Sequence, residues 1–202
     1  MLIFLDVTEE KFAILFATEF HIGADRFILG TMSLCIVVTV HTNQRARATA
    51  CVLWDNAFPE PNRISFRVRT QVSWGQVRNM LNMKWRRETN ASFDLSDQAV
   101  NFLGRKLFRG GDFTDESNVI WEMFIKDKLP GKQFAFWPWF ESMMALMKNP
   151  VFNNHWNNRE IVGFASRSDA KAILEKEPHG TFLIRFSESA FGMVTVSLKS
   201  FS

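Results

Sequence analysis

The sequence predicts a mixed, multidomain chain in which a β-rich first third gives way to helices and then to a small strand-and-helix unit. Three observations predict it. Residues 34–68 hold β-branched or alternating apolar runs separated by turn residues, with no helical stripe. From Ser73 onward, serine-headed capping boxes open segments whose apolar residues recur every three or four positions. Near the end, Phe182, Ile184 and Phe186 alternate with Leu183, Arg185 and Ser187, the period of a strand buried on one face.

Composition bounds the possibilities. At 202 residues and 47% hydrophobic content the chain suits one or two domains with a real core. Net charge is +3, yet nine Lys/Arg against three acids fall between His41 and Asn90, so the remainder is acidic. A local basic excess is the footprint of a phosphate-backbone contact, although solvated loop arginines give the same count. Two cysteines, Cys35 and Cys51, fit a reducing compartment better than a disulfide scaffold. No apolar run approaches a membrane span, and the opening Met1–Leu5 lacks the basic start of a signal peptide. Seven Trp and 21 Phe stand beside no Tyr, so any tyrosine switch lies outside these residues.

In chain order, Glu9-Glu10-Lys11 reads as a solvated bend before an apolar strand. Leu34–Val40 and Ala48–Trp54 read as two strands around the polar loop Thr42–Arg45. Turn residues 55–62 follow, and Ile64–Val68 alternates like one more strand. Ser73-x-x-Gln76 opens a helix with Val77, Met80, Leu81 and Trp85 inward. Ser96 opens a second, striped by Val100, Leu103 and Leu107 and stopped by Gly110-Gly111. A short third helix is expected around Val119–Lys128. A fourth begins near Phe136, with Pro138 tolerable only in its first turn. Its Trp139, Phe140, Met143, Met144 and Met147 face reads as core rather than a ligand groove. It runs to Asn149-Pro150.

Ser166-x-x-Asp169 caps a helix with Ala170, Ile173 and Leu174 inward. The Arg185 strand and another at Met193–Leu198 follow. Two strands and one helix bury a sheet poorly, so residues 163–202 are expected to be loosely packed.

Arg185 carries the chemistry. A charge on a strand among aromatic residues needs a partner. An arginine fork matches a phosphate bidentately, and the hydroxyls and backbone N–H groups of Ser187-Glu188-Ser189 could take the remaining oxygens. Spacing alone leaves an internal carboxylate equally open. Enzymatic function finds no support: there is no Gly-x-Ser-x-Gly or phosphate loop, and the four histidines and two cysteines show no ligand spacing. No cofactor and no metal site are expected.

The stretch Gly180–Ser189, GTFLIRFSES, closely resembles the phosphotyrosine-binding strand of Src-homology-2 domains in the form used by the STAT family (signal transducers and activators of transcription). VTEEKF (7–12), VLWDNAF (52–58), FAFWPWF (134–140), HWNN (155–158) and IVGFASRSDAKAIL (161–174) extend the resemblance over nearly the whole chain. Trp156-Asn157-Asn158 departs from the family's usual Trp-Asn-Asp, and Pro138 replaces the residue usual between the two tryptophans.

The resemblance implies three pieces: the end of an immunoglobulin-like DNA-binding β-domain over 1–70, an all-helical linker over 71–157, and the start of a Src-homology-2 domain over 158–202. By this alignment Met1 falls inside a domain, which suggests a fragment. The resemblance makes Arg185 the phosphate-gripping residue, with Ser187, Glu188 and Ser189 as pocket loop and Arg167 as a second basic contact. Arg167 also sits in a helix's first turn, where N–H groups favour an anion. For DNA it places His41 and Gln44, in the loop after Val40, at positions similar to the family's base-contacting residues; by their chemistry Asn43 in the same loop can also read base edges, and Arg45 and Arg47 suit phosphates. Without it, His41 reads as a strand-end histidine with no ligand.

The function implied is a cytoplasmic transcription factor that moves to the nucleus on cytokine-type signalling. It would bind receptor phosphotyrosine peptides, form homo- or heterodimers by reciprocal phosphotyrosine exchange, and bind a pseudo-palindromic DNA site. No membrane contact is expected. A cytosolic phosphotyrosine adaptor without DNA binding is the alternative.

Overall fold

Local capping and periodicity produce the mixed, multidomain architecture expected. The computed structural model describes residues 10–60 and 68–199, which divide into two compact units, 1–69 and 70–202. Most of the expected strand Ile64–Val68 lies outside the described residues; Val68 bridges to Pro59.

In the first unit, β2 (Leu15–Ile22) and β3 (Asp25–Met32) form an antiparallel hairpin, paired from Leu15↔Met32 to Ile22↔Asp25. Every side chain of the hairpin is exposed, and Phe20 stacks on Phe27 at 5.4 Å. The run Leu34–Val40 supplies only β4 (Ile36–Val37), which pairs with β1 (Lys11–Phe12).

Ala48–Trp54 is not a strand. A 3-10 turn at Thr42–Gln44 runs directly into α1 (Arg45–Ala57). The buried residues of α1 are Ala48, Ala50, Cys51 and Trp54, so the apolar row recurs every three positions, a helical spacing. Alanines favour the helix, and Val52, the segment's one β-branched apolar residue, does not outweigh them. Lys11 Nζ pairs with Asp55 at 2.8 Å, and the Trp54 indole N–H donates to the Arg69 carbonyl at 2.8 Å. Cys35 and Cys51 are both buried free thiols.

In the second unit, β5 (Gln71–Ser73) pairs with β6 (Asn118–Ile120), burying Val72 against Val119. Ser73 caps α2 (Trp74–Thr89), with Gln76 Oε1 accepting from the Ser73 N–H in return. Val77, Met80, Leu81 and Trp85 face inward as the stripe predicts. Ser96 caps α3 (Asp97–Leu107), whose buried row is Ala99, Phe102, Leu103 and Leu107, with Val100 only half-buried. The third expected helix is shorter: β6 takes Val119, and α4 covers Trp121–Ile125.

α5 (Phe136–Met147) buries all five residues of its predicted face and carries Pro138 in its first turn. Asn149-Pro150 does not simply end it. Asn149 Oδ1 accepts from the Val151 N–H and Pro150 takes the first position of a further helix, α6 (Pro150–Asn157).

α7 (Arg167–Leu174) then lies against β7 (Phe182–Phe186) and β8 (Val194–Leu198), which pair antiparallel. Ala170, Leu174 and Leu183 form the cluster between them. Residues 161–165 add a third edge: Val162 and Gly163 donate to the Ile184 carbonyl at 3.0 and 3.2 Å, and Phe186 N–H donates to Gly163 O at 2.7 Å.

One aromatic core joins this small sheet to the helices. Trp85 contacts Phe140, Trp156, Phe164 and Phe186 with ring centroids 5.0–5.8 Å apart. Burying each such ring contributes about 1.5–3 kcal/mol, and ring pairing adds roughly 0.5–1.5 kcal/mol. Among the described residues from 163 to 199, the loose packing expected is seen on one side only: Phe164 and Phe186 are buried, while Phe182, Val196 and Leu198 are about 60% exposed.

Candidate functional site

The site forms where β7 ends. Alternation puts Arg185 on the face of Leu183, and Ser197 stands opposite Leu183 on β8. The strand's inward row is thus Leu183 and Arg185, reversing the sequence expectation at Phe182. Phe186 is buried on the other face by the aromatic core.

Arg185 is 8% exposed. Among the described residues, Nε donates to Ser197 Oγ and Nη1 to Glu188 Oε1, each at 3.4 Å. Both contacts sit at the long end of hydrogen bonding, and a guanidinium has five N–H donors. Its fork is oriented without being saturated.

The following turn is held shut by Ser187. Its N–H donates to Met193 O at 2.8 Å, and its hydroxyl oxygen accepts from the N–H groups of Ser189 and Ala190 at 3.3 and 3.2 Å. Ser189 is exposed at the rim. The Ser187 carbonyl accepts from the Trp139 indole at 2.8 Å, and Gly192 N–H donates to Ser142 Oγ at 3.0 Å. Phe191 packs on Phe134 at 4.7 Å between centroids. The loop is therefore moored to α5 and the segment before it.

Glu188 is shared between two cations. One carboxylate oxygen faces Arg185, and the other accepts from Lys106 Nζ at 3.1 Å. Lys106 comes from α3, 82 positions away, and its ammonium lies over the rings of Phe102 and Trp139 at 4.9 and 4.8 Å. Burial pushes its pKa below the ordinary lysine value, which Glu188 partly offsets. Sequence reasoning missed Lys106, since nothing local marks a lysine whose partner is so distant.

Arg167 is exposed at the first position of α7, an element packed on β7. In that turn the Asp169 N–H donates to Ser166 Oγ at 3.0 Å. Asp169 Oδ2 accepts from the Ser166 N–H at 2.9 Å and hydroxyl at 2.7 Å, and pairs with Arg105 at 2.9 Å. Burial raises the Asp169 pKa, but these bonds and the Arg105 charge outweigh it, so the carboxyl stays below its ordinary value.

The residues expected to meet DNA do not lie on a loop between strands. His41, Asn43 and Arg45 are exposed on the 3-10 turn and the first turn of α1, and Arg47 is half-buried further along it. Gln44 Oε1 accepts from the N–H groups of Val40 and His41 at 3.0 and 3.1 Å, so that end of its amide is committed to the backbone. Among the described residues, no cluster of three or more His, Cys, Asp or Glu could hold a metal ion, and no helix is long and apolar enough to cross a membrane.

A helical body moored to an arginine strand and its turn defines a linker joined to a Src-homology-2 module. Comparison with known families agrees: residues 61–140 match the signal transducer and activator of transcription linker domain, and residues 161–202 match the SH2 domain. Human signal transducer and activator of transcription 6 is 38% identical over 197 residues, 95% of this chain and 23% of the relative. The chain belongs to the STAT family. It spans less than a quarter of that relative's length.

Proposed function

We propose that this chain is the phosphotyrosine-reading part of a signal-dependent transcription factor, and that Arg185 grips the phosphate. The observation that carries the proposal is the Arg185 guanidinium itself: nearly buried, aimed by two long hydrogen bonds, and left with unused donors beside a hydroxyl-rich turn. A phosphate dianion matches that fork better than a single carboxylate oxygen at 3.4 Å. Ser187 Oγ–H and Ser189 can donate to further oxygens, and Glu188 fixes the turn. Arg167 is a rim cation that adds attraction at longer range.

In the whole protein, reciprocal phosphotyrosine exchange would build a homo- or heterodimer that reads a pseudo-palindromic DNA site, one half-site per copy. His41, Asn43 and Gln44 would meet base edges and Arg45 and Arg47 phosphates, with the basic excess of residues 41–90 supporting this assignment. The protein would wait in the cytoplasm and enter the nucleus after activation. A signalling role of this kind calls for no catalytic group and no cofactor.

One observation favours the second reading, a phosphotyrosine adaptor without DNA binding: Gln44 spends its amide oxygen on the backbone. Titration of a phosphotyrosyl peptide against the chain and its Arg185→Lys variant tests the pocket.

A further inference from the structure

Three charges meet at the mouth of the Arg185 site, and their arrangement has a consequence for any anion that binds there. Glu188 lies three residues after Arg185, close enough for its carboxylate to fold onto the guanidinium and occupy the fork as an internal substitute for phosphate. It does so with one oxygen only: Oε1 accepts from Arg185 Nη1 at a long 3.4 Å, while Oε2 is drawn to Lys106 at 3.1 Å. Lys106 is well placed to hold it, because its side chain is 9% exposed and its ammonium lies over the Phe102 and Trp139 rings. That anchor belongs to α3, not to the strand-and-helix unit carrying Arg185.

We propose that Lys106 is a positioning residue that keeps the Glu188 carboxylate from closing on the Arg185 fork with both oxygens and so sets the affinity of the site for a phosphate monoester. The proposal rests on Arg185 being the phosphate ligand.

The physical argument has two parts. A carboxylate tied at one oxygen to Lys106 cannot close a bidentate pair with Arg185, so the fork stays open. The second part is net charge. Arg185 and Lys106 with Glu188 leave one positive charge for an incoming dianion; without Lys106 the pair is neutral and the carboxylate repels the phosphate. The helical linker thereby controls a site that does not belong to it.

The probe is N-acetyl-O-phosphotyrosine amide, titrated into the chain while the Arg185 Nε–H resonance is followed by NMR, with the unphosphorylated amide as control. Lys106→Met keeps an unbranched chain over the two rings and removes the charge. It is expected to weaken binding about tenfold or more, the scale of a charge-assisted contact. Adding Glu188→Gln to it removes the competitor and restores the parent's net charge, so the double variant is expected to recover to within about threefold of the parent. Lys106→Arg is expected to bind like the parent.

A merely structural lysine gives a different pattern: binding by Lys106→Met that tracks its denaturation midpoint, with no recovery in the double variant. That pattern overturns the proposal, as does parent-like binding by Lys106→Met. If the parent itself shows no phosphate-dependent shift at Arg185, the pocket reading fails and takes this proposal with it.

Discussion

The Trp139 indole N–H donates to the carbonyl of Ser187 at 2.8 Å, tying the middle of the aromatic helix α5 to the turn beside Arg185. Both residues are almost fully buried, so this bond has no water to replace it. Trp139→Phe keeps an aromatic ring and leaves the Ser187 carbonyl without that donor. The expected loss of stability is about 1–3 kcal/mol, the cost of an unsatisfied buried acceptor. Amides of residues 187–193 should exchange faster than in the parent while those of α2 do not change. Urea denaturation and hydrogen exchange measure the two effects, and unchanged exchange in the turn would show that α5 does not moor it.

Gly163 has φ +72° and lies where β7 meets the aromatic core. A Cβ there would stand 2.5 Å from the Trp156 ring and 2.9 Å from that of Phe186. Gly163→Ala is therefore expected to destabilise by about 2–4 kcal/mol through strain and displaced rings. Gly180, at φ +86° but facing open space, gives the comparison: its alanine variant should cost only about 1–2 kcal/mol. Equal losses at the two positions would mean that Gly163 matters for its backbone alone.

These two positions also show which features a sequence can reveal. Capping boxes at Ser73 and Ser166 and the stripes of α2 and α5 were legible because each rests on residues within a few positions of one another. α1 is hard to read because Val52-Leu53-Trp54 looks like a strand, while the spacing of Ala48, Cys51 and Trp54 is helical. α6 is equally hidden, since Asn149-Pro150 is a helix-start signal as much as a stop. Arg185 stood out by its unlikely place among aromatic residues. Lys106 and the mooring by Trp139 and Ser142 did not, since they arise only once distant segments pack together.

The DNA assignment makes a separable pair of outcomes in the whole phosphorylated protein. Arg45→Ala should weaken binding to all sequences alike and lower the salt slope by about one, as for a lost phosphate contact. His41→Ala should leave the slope unchanged and relax preference at particular base pairs or at the half-site spacing. Binding to a panel of half-site spacings at several salt concentrations separates them. Parent-like behaviour by both variants would favour the adaptor.

The central claim is that Arg185 holds a phosphate through the geometry of its fork. Calorimetric titration of a phosphotyrosyl peptide into the whole protein and into its Arg185→Lys variant tests this most directly. Lysine keeps the charge and loses the planar pair of donors, so the account predicts a loss of about 1.5–3 kcal/mol, roughly ten- to a hundredfold in affinity. Equal affinity in the two proteins, or binding that ignores whether the tyrosine is phosphorylated, would contradict it.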